Sequence, residues 1–218
     1  MSAGAVGLVT STESKTASIH AHIDREIDEL LASLPDTARL TEAQRRGMIA
    51  RYTAVLEGNF IYWMTGAYLA AGSDEARAKI IDNLREEVRD CHPGMMRRFA
   101  LAANAAPTDT DAVAVSRSLS DVRLFIGRLS AVPTIVTMAF FEGFIQRFMP
   151  YLAELAQRQG SSDMEYTDVH GICDITHTEE LFHALEAELA LTAPQPPEAM
   201  FEGIGLLRQL ITTIVNNN

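Results

Sequence analysis

Within the run from Asp168 to His183, DVHGICDITHTEELFH, three side chains that can bind a metal follow one another as His170-x3-Asp174-x2-His177. Each helical residue turns about 100°, which places Asp174 roughly 40° and His177 roughly 20° from His170, so the three share one narrow face. Imidazole and carboxylate donors at this spacing suit iron, manganese or zinc; they do not suit a thiolate site or an all-oxygen calcium site. The same residues would also serve as a polar helix face with two solvated histidines. Donors elsewhere in the chain have to decide.

Glu142 is the clearest of these, because it lies in the apolar run MAFFEGFI, where an unpaired carboxylate is costly to bury. A metal ion removes that cost, as would an arginine such as Arg123 or Arg147. A second group lies in NLREEVRDCHPGMM, where Glu86 or Glu87 ends one helix and His92 begins the next. Glu57, in VLEGNFIYWM, is another carboxylate on an otherwise apolar stretch, and a plain salt bridge accounts for it equally well. Tyr166, one turn before His170, should face the same cavity, as should Ile135 and Met138 below Glu142, although core packing accounts for these two more readily. His183 falls roughly 220° around from His170 and belongs on the surface, while Glu180 is nearer the ligand face. His20 and His22 have no evident partner.

A helical framework has to carry these groups. Residues 1–14 read as a mobile tail, and residues 15–218 as one domain. Ile19, Ile23, Ile27 and Leu30 mark a first helix over 16–33, stopped by Pro35. Thr41 with Gln44 forms a capping box that opens a long helix to about residue 71. A third helix covers 74–90, and Pro93 suits the first turn of a fourth. Residues 107–111 form a loop before a fifth helix over 112–130. Pro133 starts a strongly apolar sixth helix in which Pro150 should produce a kink. The ligand-bearing helix spans 164–191, and a last one 198–215. With no alternating strand pattern and no repeat, the class is all-α, with seven or eight helices.

Composition narrows the function classes. A formal net charge of −11 over 218 residues argues against a nucleic acid or an anionic membrane as partner. No apolar run is long enough to span a membrane and no basic stretch precedes an apolar one at the start, so a cytoplasmic protein is expected. Cys91 and Cys173 are too few for a disulfide framework and read as small buried residues, with a redox role left open because each adjoins a proposed ligand.

Together these segments resemble the heme-oxygenase-like diiron oxidases and oxygenases, often called iron-containing redox enzymes, over roughly residues 83–177. A family segment like NLxxE is matched by Asn83-Leu84-Arg85-Glu86-Glu87, and one like HPxLxxRF by His92-Pro93-Gly94-Met95-Met96-Arg97-Arg98-Phe99. A glutamate in a central apolar helix and a His-x3-Asp-x2-His run follow, matched by Glu142 and by His170, Asp174 and His177. The resemblance implies a single-domain heme-oxygenase-like bundle with the metal ligands Glu87, His92, Glu142, His170, Asp174 and His177. The gap between Glu87 and His92 is shorter than in the family, which leaves Glu86 as a rival ligand.

The resemblance further implies two Fe(II) ions, O2 as co-substrate, a small-molecule substrate, room for an external electron donor, and a homodimer. Relatives that oxygenate nitrogen carry one more carboxylate on an earlier helix, roughly where Glu57 stands, which leans the reading toward N-oxygenation of a small amine with Glu57 and Tyr166 as catalytic residues. Others cleave a carbon–carbon bond in, or remove hydrogen from, an amino or fatty acid. Metal-free relatives of the thiaminase type form a further alternative.

Overall fold

The computed structural model describes residues 3–193 and 195–216, with side chains from residue 15 onward. Among the described residues the chain forms eight α-helices and one short 3-10 helix, Thr37–Arg39, with no strand. In chain order the α-helices are α1 (Ala3–Ala32), α2 (Glu42–Ala70), α3 (Asp74–Arg89), α4 (His92–Ala102), α5 (Asp109–Ile126), α6 (Ala131–Arg158), α7 (Glu165–Leu189) and α8 (Pro197–Asn216). The architecture is all-α, as the helical periodicity of the sequence predicts.

The helix ends follow local chemistry. Thr41 accepts from the Gln44 amide at 3.3 Å and Gln44 Oε1 accepts from the Thr41 amide at 2.9 Å, so the expected capping box opens α2. A second box, Thr108 with Asp111, starts α5 at Asp109, three residues before the expected 112. Pro133 sits in the first turn of α6, which begins at Ala131. Helix α1 starts at Ala3 instead of about residue 16, since no proline separates that segment from the apolar face that nucleates the helix. The side chains of residues 1–14, where the mobile tail is expected, lie outside the described residues. Pro150 lies inside α6, which continues through it to Arg158.

Helix α6 is the axis of the bundle. Every residue from 132 to 145 is buried, and the helix packs most extensively on α7, with further contacts to α2, α8 and α1. A helix apolar all round can only be stable in such a place. Close approach is built in: a Cβ on Gly203 of α8 would overlap Thr137 and Phe125, so only glycine lets α8 lie against α5 and α6. These contacts hold Glu142 of α6 and the ligand face of α7 against each other, with α3 packed on α7.

Candidate metal centre

The corner between α3 and α4 brings a carboxylate onto an imidazole. Cys91 is left-handed there, with φ 56°, and its carbonyl accepts from the amides of Gly94 and Met95 as α4 begins. The chain thereby folds back within five residues, and His92 Nδ1 reaches Glu87 Oε1 at 2.7 Å. Both side chains are buried. The short gap between Glu87 and His92 is therefore spanned by a tight corner. Cys91 itself is exposed, contrary to the reading of it as a small buried residue, because a residue at such a corner projects away from both helices.

On α7, His170, Asp174 and His177 point inward together and are buried. His170 donates from Nδ1 to the Tyr166 carbonyl at 2.8 Å, which fixes the tautomer and turns Nε2 toward Glu87 Oε1, 3.9 Å away. His177 Nε2 pairs with Glu86 Oε2 at 3.0 Å, and its Nδ1 faces Asp174 and Glu142. Adjacent on α3, Glu87 enters the cluster while Glu86 stays at its rim, its side chain 46% exposed. Glu142 lies 2% exposed, and Asn83, one turn before Glu87, donates to it at 2.8 Å. Arg123 and Arg147, its conceivable ionic partners, are engaged with Asn59 and with Asp24 and Asp28.

The donor set fits a metal on a specific ground: buried Asp174 Oδ2, His177 Nδ1 and Asn83 Oδ1 have no hydrogen-bond partner. Such orphans are rare in folded proteins and cost stability unless something binds them. His177 Nδ1 lies 3.6 Å from Asp174 Oδ1 and 3.8 Å from Glu142 Oε1, beyond hydrogen-bond length. Two donors bound to one ion at about 2.1 Å stand about 3 to 4 Å apart. Ligating atoms of Glu87, His92 and His170 lie within 4.8 Å of one another, as do those of Cys173, Asp174 and His177.

Electrostatics record the same crowding. Burial, reinforced by the charge of Asp174, holds the Glu142 carboxyl well above the usual carboxylate range. Burial pulls His177 down, but Asp174, Glu142 and Glu86 outweigh it and push it up to about 10. His92 is likewise raised, the Glu87 hydrogen bond overcoming burial. The Cys173 thiol, which donates to Asp174 at 3.2 Å, is pushed up by burial and then by that carboxylate, so it is held as a thiol.

A pocket with about 380 Å³ of empty space, open solvent at its mouth included, leads to the cluster. Glu87, His92, Glu142, His170 and Asp174 form its polar end, and Leu56, Phe60, Ile61, Met96 and Ile145 its walls. Tyr166 lines it too, its hydroxyl bonded to that of Tyr52 at 2.9 Å. Ile135 and Met138 are fully buried core residues that do not line it. Glu57 is not brought to the cluster: it pairs with Arg97 of α4, and its side chain is 29% exposed. Glu180 pairs with Lys79, and His183 is exposed beside Glu186. His20 and His22 have carboxylate partners after all, Asp24 and Glu26. Asn83 and the Glu86–His177 contact are parts of the site that sequence reading missed; the spacing of Asn83 and Glu87, one helical turn, was the available signal for the first.

A chain that places carboxylates and histidines from α3, α4, α6 and α7 in this order also matches a known sequence profile. The profile of the iron-containing redox enzymes matches residues 48–210. The chain belongs to that family. The match spans α2 through most of α8 and contains every donor described above. No curated protein and no solved structure matches the chain. As an iron-containing redox enzyme it is an oxidoreductase by family, and no helix of its described residues is long and apolar enough to cross a membrane.

Proposed function

We propose that this iron-containing redox enzyme is a non-heme diiron oxygenase that uses O2 to oxidise a small amine-containing substrate, to an N-hydroxy or nitro product, in a biosynthetic pathway. One observation carries the reading: Glu87, His92, Glu142, His170 and Asp174, from four helices, form the polar end of a pocket with apolar walls, and His177 lies against Asp174 and Glu142, with Asp174 Oδ2 and His177 Nδ1 left unpartnered. Bound there, two Fe(II) ions would supply electrons to O2. Glu87, His92 and His170 would hold one ion, and Asp174 and His177 the other, with Glu142 facing both groups.

The surrounding residues support those donors. The Tyr166 carbonyl orients His170, and Asn83 orients Glu142. Burial first, then nearby charges, raises the Tyr52 and Tyr166 hydroxyls, so both stay protonated and can only donate or share a hydrogen bond beside the pocket. The apolar walls exclude water from the substrate's path. An external electron donor, a cytoplasmic location and a homodimer belong to the same proposal.

A second reading is oxidation at carbon, with cleavage of a carbon–carbon bond or desaturation of an amino or fatty acid. The pairing of Glu57 with Arg97 favours it, because the extra carboxylate that inclined the reading toward nitrogen does not reach the cluster. A metal-free, thiaminase-like reaction is disfavoured by the raised Cys173 thiol.

Reconstitution with ferrous iron under exclusion of air tests the proposal. Uptake of about two irons per chain, with O2 consumption stimulated by small amines, is expected from six donors of this kind. Tighter binding of zinc or manganese, with no O2 consumption by the iron form, would sink it.

A further inference from the structure

A sulfur donor stands beside the unpartnered half of the cluster. Cys173 of α7 precedes His177 by one helical turn, which sets the two side chains about 40° apart on the helix. Its Sγ lies 3.2 Å from Asp174 Oδ1, and His177 Nδ1 lies 3.6 Å from the same oxygen. A ligating atom from each of the three falls within 4.8 Å of the other two. An ion about 2.3 Å from a sulfur and about 2.1 Å from nitrogen or oxygen holds tetrahedral donors about 3.4 to 3.6 Å apart. Small side-chain shifts therefore close the set on one ion.

The thiol hydrogen bond satisfies Asp174 Oδ1 only. Asp174 Oδ2 and His177 Nδ1 remain buried without a partner, on side chains 1% and 3% exposed. His177 Nε2 pairs with Glu86 at 3.0 Å, which leaves Nδ1 facing Asp174. The other group, Glu87, His92 and His170, contains no sulfur, and Cys91 is exposed on its corner. The two groups thus differ in softness. A thiolate beside an imidazole suits zinc, and zinc stands above ferrous iron in affinity for a given donor set.

We infer that Cys173, Asp174 and His177 form a thiolate-containing site for a zinc-class ion, overlapping the position that a second iron would take. Binding forms a metal–sulfur bond and releases the thiol proton to solvent, with nothing oxidised or reduced. Zinc has no redox chemistry, so its presence there leaves the chain with one iron and holds it inactive. That regulatory consequence rests on the diiron reading; zinc binding through sulfur does not.

Cobalt(II) reports such a site, because a thiolate bound to it gives a charge-transfer band in the near ultraviolet that carboxylate and imidazole donors do not. Titrated into the metal-free protein, cobalt(II) should produce this band, and about one equivalent of zinc should abolish it. Cys173→Ser, its helix content checked by circular dichroism, should lose the band and bind zinc about tenfold or more weakly, while Cys91→Ser keeps both. In the unmutated chain zinc should slow alkylation of Cys173 about tenfold or more and leave Cys91 reactive. Zinc added before ferrous iron should lower iron uptake from about two to about one per chain. Absence of the band, a band that survives Cys173→Ser, or alkylation of Cys173 indifferent to zinc overturns the proposal. A chain with the sulfur band that takes up no iron keeps this site and loses the diiron reading; one that takes up two irons and shows no band does the reverse.

Discussion

Glu87, His92 and His170 are all engaged in the folded chain, whereas Asp174, His177 and Glu142 keep unmet needs. In the first group the Glu87–His92 hydrogen bond at 2.7 Å and the His170–Tyr166 bond at 2.8 Å hold the side chains in place. An ion entering there displaces a single short contact. In the second group Asp174 Oδ2 and His177 Nδ1 lack partners, and Glu142 is driven above its usual range by burial and by Asp174. The difference follows from position. His92 sits on a tight corner that brings its own partner with it, while Glu142 and the middle of α7 face each other across a packed helix interface where His177 is set against both Asp174 and Glu142 without coming within hydrogen-bond length of either. Stability that folding spends on the second group is returned only when a cation binds.

The largest effect that would break this contrast comes from Glu142→Ala. The variant should lose at least one of about two irons and with it O2 consumption, while the metal-free fold survives or gains in melting temperature, since a buried and repelled carboxylate is gone. Two irons with normal turnover would remove Glu142 from the centre.

Glu87→Ala and Glu86→Ala sharpen the contrast on α3. Neighbouring helical residues point about 100° apart, and Glu87 is buried in the cluster whereas Glu86 touches only His177 from the rim. Iron titration should show loss of an ion in the Glu87 variant and a roughly tenfold weaker affinity in the Glu86 variant. Equal losses, or loss from Glu86→Ala alone, would reverse the assignment.

A smaller effect concerns the order of α7. Thr167, Val169, Ile172, Ile175, Thr176 and Thr178 are β-branched and Gly171 is flexible, whereas Leu, Ala and Glu dominate from Glu179 onward. Propensity therefore supports the second half of the helix and barely supports the half that carries the ligands. Amides from Val169 to Thr178 should exchange hydrogen about tenfold or more slowly once ferrous iron is added, while those from Leu181 to Leu189 change little. Equal protection with and without metal would show that packing alone holds the ligand face.

The smallest expected effect is on pH. His177 keeps its proton to about pH 10 in the folded metal-free chain, against 6.5 for the free side chain. The stability that proton supplies is whole below pH 6.5 and is lost as pH rises toward about 10, because the folded state binds it more strongly over that window. Melting temperatures of the metal-free protein should fall across this range, and His177→Gln should flatten the slope. An unchanged slope would mean that other groups carry it.

What the sequence determined by itself was whatever depends on near neighbours. The class, the start of α2 at the Thr41–Gln44 box and the shared face of His170, Asp174 and His177 all follow from helix periodicity and capping over a few residues. The Thr108–Asp111 box was equally local and equally readable, and it sets the start of α5. Tertiary structure decided the rest. Which of Glu86 and Glu87 enters the cluster depends on the rotation of α3 against α7, which packing sets. Asn83 reaches Glu142, and Arg97 reaches Glu57, across 59 and 40 residues of chain. Local propensity carries no information about such pairs, because each exists only where two helices packed for other reasons bring their faces together.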